Sequence, residues 1–121
     1  MIWQRLFATG AVLGTLAIAA GAFGAHALKK RLSAEDLAIF ETGARYNMYG
    51  ALAVLAFALA AAHGLRTVSA GWVLVAGIAI FAGTLYGIAL GGPRWLGAIT
   101  PLGGTLMLVA LAWAAIAAVR S

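Results

Sequence analysis

Charged side chains cut this chain into four apolar stretches, residues 6–28, 46–63, 67–93 and 95–119, and none of the eleven charged residues falls inside one. Crossing the hydrocarbon core of a bilayer as a helix takes about 20 residues. The apolar runs are continuous rather than alternating, which fits helices and not the strands of a membrane barrel. In lipid only these two architectures satisfy every backbone N–H and C=O. The pattern predicts an all-α membrane protein with one domain over 1–121, its spans at about 3–28, 46–63, 68–91 and 97–119. The second, third and fourth spans are joined by the short connections "GLRTV" and "GGPRWLGAITP". Short connections make neighbours antiparallel, so the four transmembrane helices form an antiparallel bundle.

The stretch between the first two spans, "LKKRLSAEDLAIFETGARY", has its own pattern. Ser33 followed by Asp36 resembles a capping box, and Leu32 with Leu37 resembles a hydrophobic staple. Glu35 and Asp36 occupy the first turn, where the helix dipole favours carboxylates. Leu37, Phe40 and Ala44 then share one face, and Glu41 and Arg45 stand at pairing distance, i and i+4. The expectation is a short amphipathic helix over 33–45, lying at the interface, with Gly43 as the joint into the second span. Its acidic residues read as a solvated helix face, not as paired catalytic carboxylates.

The first span imitates a secretory signal, with "MIWQR", an apolar run and "AHA". Its apolar run exceeds the about 7–15 residues of a signal core, and the "KKR" that follows resembles a membrane stop. It is expected to be a retained helix. Tyr46, Tyr49, Tyr86 and the four tryptophans lie mostly near span ends, as an aromatic belt requires.

Composition narrows the function classes. The chain has 121 residues, 64% hydrophobic and 9% charged, with mean hydropathy +1.03. Its net charge of +5 is scattered between apolar runs. Nucleic-acid binding needs a basic patch with interleaved aromatics, which is absent, so the cations look to anionic lipid headgroups instead. No cysteine is present, which excludes disulfides, thiolate metal sites and cysteine nucleophiles. We call the membrane face holding both termini side A and the opposite face side B. Side A then carries Arg5, Arg66 and Arg120; side B carries Lys29, Lys30, Arg31, Arg45 and Arg94. The positive-inside rule points to side B, with loop 28–45, as cytoplasmic in a bacterial-type inner membrane.

Helices in lipid associate through close contact of small side chains. Gly10, Gly14, Ala17, Gly21 and Gly24 form a heptad stripe in the first span. Ala53, Ala56, Ala60 and His63 repeat it in the second, and Gly103, Met107, Ala110, Ala114 and Ala117 in the fourth. In the third span Gly83, Gly87 and Gly91 are four apart, the GxxxG spacing of a right-handed close crossing.

Candidate chemistry is sparse. With no charge in the middle of a span, an ion-coupled transporter is not indicated. His26 and His63 end different spans on opposite faces and cannot share a haem or metal within one chain. No cofactor, no metal site and no catalytic residue is expected. Polar residues nevertheless gather at side B: His26 closes the first span, Glu41, Arg45, Tyr46 and Asn47 open the second, Thr84 and Tyr86 approach the end of the third. "TPLGG", Thr100–Gly104, starts the fourth, with Pro101 suited to a first helical turn. His26, Glu41, Arg45, Tyr46, Asn47, Tyr86 and Thr100 are therefore the candidate ligand-binding residues. Such a cluster can bind a headgroup or partner, or satisfy helix ends.

"GAFGAHAL", "FETGARYNMYGALAVL", "FAGTLYGIAL" and "ITPLGG" resemble, in order, the transmembrane protein 256 family, also known as the domain-of-unknown-function 423 family. The resemblance covers nearly the whole chain and implies a small integral membrane protein with several helices and no established activity. The family's second motif usually reads Tyr-Gln-x-x-His. Here those positions are Tyr46, Asn47 and Gly50, so the second histidine is missing, and Ala82 replaces a frequent Ser. The leading expectation is a non-enzymatic accessory or scaffolding protein whose partners are membrane lipids, another membrane protein or a second copy of itself. The alternative is a small-molecule or lipid-headgroup site for binding or passage at side B, built from His26, Arg45, Tyr46, Tyr86 and Thr100. An enzyme acting on a membrane lipid has only His26 to motivate it.

Overall fold

A computed structural model describes residues 2–121, and among these every regular element is helical. They are α1 (Ile2–Leu28), α2 (Ala34–Ala62), α3 (Val68–Ala89) and α4 (Leu96–Arg120), each long and apolar enough to cross a membrane. Ser33 caps α2 as its sequence context predicts: its Oγ accepts from the Asp36 N–H at 3.1 Å. The other ends of α2 and α3 close on glycines. Gly64 and Gly91 adopt φ of 100° and 101°, the left-handed conformation that terminates a helix at little cost only for glycine. The bonds Leu65 N–H to Ala60 O and Gly92 N–H to Gly87 O complete both terminations.

The expected interfacial helix at 33–45 and the second span at 46–63 are one uninterrupted 29-residue helix. Gly43 is not a joint. It is buried, and a Cβ there would lie 3.0 Å from the Tyr86 ring, so the glycine makes room for α3. The apolar face of Phe40 and Ala44 covers the end of α1, opposite Gly24 and Gly21, instead of lying on the membrane surface. A face that can reach another helix needs no interface to bury it.

Consecutive helices pack with contacts that descend along one helix as they rise along the next. Gly10 meets Val54, Gly14 meets Ala51, Gly21 meets Ala44 and Gly24 meets Phe40, so the glycine stripe of α1 is its seam with α2. This holds through residues Ala19–Gly24, which wind as a π-helix. Between α2 and α3, Gly43 faces Tyr86 and Gly50 faces Ile78. Between α3 and α4 the backbones touch: a Cβ on Gly77 would lie 2.9 Å from the Gly103 carbonyl oxygen. Thr67 stitches the α2–α3 turn by donating to the Phe57 carbonyl at 2.6 Å. Leu6, fully buried, reaches past α2 to Gly71 of α3. The main interfaces are α1–α2, α2–α3 and α3–α4, so the helices form an open row in which α1 and α4 stand apart.

Three details of the sequence pattern are corrected. The close crossing of α3 is at Gly77, not along Gly83, Gly87 and Gly91; Gly83 and Gly91 have nothing within 4 Å of a built Cβ. The seam of α2 runs through Asn47, Gly50, Ala51, Val54 and Ala58, while Ala56 is exposed. Pro101 is the sixth residue of α4, not part of its first turn. Its missing N–H releases the Gly97 carbonyl from the helix ladder.

Candidate functional site

An open row leaves a gap where two of its members are separated by a third. Here α3 is the floor and α2 and α4 are the walls of a cleft of about 560 Å³. Tyr46, Tyr49 and Ala53 line one wall, Phe81 and Leu74 the floor, and Gly104 and Leu108 the other wall. Tyr46 packs on Phe81 with ring centroids 5.0 Å apart and edge-on to Tyr49 at 5.3 Å. The threonines at the cleft, Thr42 and Thr105, donate to the carbonyls of Ala38 and Pro101 and so present little free polarity. The result is an apolar trough on the outside of the protein, with phenol hydroxyls as its polar points.

The helix lengths suit a membrane. At 1.5 Å per residue the 22 residues of α3 span about 33 Å, just enough for a hydrocarbon core of about 30 Å. Near its middle Ile78 packs on Gly50 of α2. Arg45 lies five residues from Gly50 along α2, about 7.5 Å toward side B. It is exposed, one turn from Tyr49 and three residues from Thr42, and is not among the residues that line the trough. Its long side chain can snorkel toward side B. The one ion pair among the described residues is elsewhere, Arg94 to Asp36 at 2.9 Å, and ties the α3–α4 connection to the start of α2.

The remaining expected site residues divide between helix seams and the surface. Asn47, only 4% exposed, donates from Nδ2 to the Tyr86 hydroxyl at 3.0 Å across the α2–α3 seam, and its Oδ1 is buried without a partner. Tyr86 also packs on Phe40, with centroids 5.0 Å apart. Thr100 is buried in the α3–α4 seam, 2.6 Å from the Thr84 hydroxyl; one hydroxyl donates to the other, which in turn donates to the carbonyl one turn back in its own helix. These two pairs lie on opposite flanks of α3. His26 and Glu41 are exposed on α1 and α2. Of the seven residues, Tyr46 alone lines the cleft; Arg45 and Glu41 are exposed on α2 outside its lining. Phe81, Gly104 and Leu108 complete the cleft, and as ordinary apolar span residues they carry no sequence signal of such a role.

Comparison with known proteins fits this architecture. The profile of a family described as protein of unknown function (DUF423) matches residues 20–104, from the π-helical segment through the α3–α4 crossing. A UPF0382 membrane protein of Bacillus subtilis, YwdK, is 40% identical over 114 residues, covering 92% of this chain and 93% of that one. A UPF0382 membrane protein of Staphylococcus saprophyticus is 43% identical over 101 residues, with 83% and 84% covered. Another, from Haemophilus influenzae, is 39% identical over 102 residues, with 82% and 81% covered. No solved structure matches. With four helices able to span a bilayer and relatives named as membrane proteins along most of its length, the chain is an integral membrane protein and belongs to the DUF423 family.

Proposed function

We propose that this protein is a non-enzymatic accessory or scaffolding component of a bacterial-type inner membrane, with the α1–α2 connection on the cytoplasmic side, and that it holds a lipid or protein partner laterally. The observation that carries this reading is the open, apolar cleft between α2 and α4, on the outer surface of helices long and apolar enough to span a membrane. An enzyme or a solute pathway needs convergent polar groups in an enclosed space. Here the polar side chains near side B are spent in pairs across seams, Asn47 with Tyr86 and Thr84 with Thr100. A small-molecule site uniting His26, Arg45, Tyr46, Tyr86 and Thr100 draws support only from Tyr46, the one of the five that lines the cleft. Co-purification in native lipid discs followed by mass spectrometry tests the reading, with enrichment of a specific lipid or protein expected. Turnover of a substrate, or ion movement in liposomes by the purified protein, would sink it.

A further inference from the structure

A second cleft, of about 560 Å³, lies at side A between the α2–α3 turn and the end of α4. Gly64 and Arg66 of the turn form one side of it, and Trp113, Ile116, Arg120 and Ser121 the other. Trp113, Ile116 and Arg120 are three and four residues apart, so they follow one face of α4 with the arginine nearest the helix end. The wall behind that arginine is exposed apolar surface, with Trp113 42% and Ile116 52% exposed. Two guanidiniums on one cleft repel each other until an anion joins them. The described chain does not pair with either. Neither arginine forms an ion pair, the terminal carboxylate of Ser121 included, and the Ser121 hydroxyl donates back to the Ala118 carbonyl at 3.0 Å. The only carboxylate side chains are Glu35, Asp36 and Glu41, near the far end of α2. From Glu41 to Ala62 that helix rises about 32 Å, well beyond the roughly 8 Å over which an exposed charge is felt in physiological salt.

We propose that this side-A cleft binds an anionic phospholipid of the phosphatidylglycerol type, its phosphate between Arg66 and Arg120 and an acyl chain along Ile116 and Trp113. The lining sets both guanidiniums at one end and both large apolar side chains at the other, so its ligand joins an anionic end to an apolar body. Phosphate oxygens match the fork of an arginine. Tryptophan suits the level at which chain and headgroup meet. The headgroup ammonium of phosphatidylethanolamine or phosphatidylcholine would add a third cation to a cleft with no carboxylate side chain to receive it. Net negative charge is therefore what the cleft selects. The site shares no residue with the cleft between α2 and α4 and stands whether or not that cleft holds a partner.

The test offers the full-length protein, purified in detergent, equal amounts of dioleoyl phosphatidylglycerol, phosphatidylethanolamine and phosphatidylcholine, and reads retained lipid by native mass spectrometry. Phosphatidylglycerol is expected to be retained preferentially, and a tenfold excess of inorganic phosphate should not displace it. Arg66→Gln and Arg120→Gln should each lower its retention about fivefold, the worth of one cation against an anionic lipid surface. Arg66→Lys and Arg120→Lys should each keep part of what the glutamine loses. Arg31→Gln removes the same charge from the exposed α1–α2 connection on side B and should leave retention unchanged. All three glutamine variants alter exposed side chains and should keep the helical circular dichroism. Equal or greater retention of either zwitterionic lipid by the unmodified protein overturns the proposal, as do Arg66→Gln and Arg120→Gln variants that bind unchanged. An Arg31→Gln loss as large as theirs overturns it too, since net charge and not the cleft would then be the cause. Displacement by inorganic phosphate would make this a site for a soluble anion and overturns the lipid.

Discussion

A single methyl group added at Gly103 bears on the backbone crossing of α3 and α4. A Cβ there would stand 2.8 Å from the Gly77 carbonyl oxygen and 2.9 Å from Phe81 Cα, with the Phe81 nitrogen closer still. All three are backbone atoms, so no side chain can swing away. Restoring ordinary contact, which begins near 3.4 Å, requires α3 and α4 to part locally by roughly 1 Å, set by the Phe81 nitrogen. A gap of that order forfeits about a quarter to a half of the dispersion energy of the facing atoms. Overpacking of this kind costs about 1–3 kcal/mol. The matched control is Gly83→Ala, which meets nothing within 4 Å and replaces a poor helix former by a good one. Reversible unfolding in mixed dodecylmaltoside–SDS micelles, followed by far-ultraviolet circular dichroism, should place Gly103→Ala at least 1 kcal/mol below the parent protein. Gly83→Ala should fall within about 0.5 kcal/mol of it. If Gly83→Ala proved as damaging as Gly103→Ala, the crossing would follow the GxxxG spacing and the geometry described above would be wrong.

The same assay measures three further quantities. Tyr86→Phe strands the buried Asn47 amide and should cost about 1–3 kcal/mol, most of it regained when Asn47→Leu is added, since removing both partners removes the unmet hydrogen bond. Thr84→Val and Thr100→Val should each destabilise by about 0.5–1.5 kcal/mol and show a coupling energy in a double-mutant cycle, the signature of a hydroxyl pair joining two helices. Arg94→Gln should change stability by less than about 1 kcal/mol, and the change should shrink as salt is raised, because Arg94 is 63% exposed where it meets Asp36.

The four span-length apolar helices, the Ser33 cap and the glycine seam of α1 were all legible in the sequence, because each rests on a local rule of charge placement, capping or periodicity. The seams of α2 and α3 were not. Apolar and small residues surround these two helices, so spacing alone does not say which face meets a neighbour; contact with Ile78 picks Gly50, and contact with Gly103 picks Gly77. The break imagined at Gly43 came from reading its neighbouring charges as the membrane boundary, whereas the helix simply continues past them. For the candidate site, Tyr46 and Arg45 could be singled out as polar residues near a span end. The cleft that Tyr46 borders could not, since it exists only through the distance between α2 and α4, two helices not adjacent in the chain.

The order of the row also bears on how the protein is made. Each new helix packs on the one synthesised just before it, and a contact that skips a helix, such as Leu6 on Gly71, needs only α3 to have entered the bilayer. No docking step has to wait for both chain ends to meet, so loop-closure entropy stays small throughout. Ribosomal output and membrane assembly can then proceed in the same sequence, helix by helix, with α4 added last and the cleft appearing only on completion.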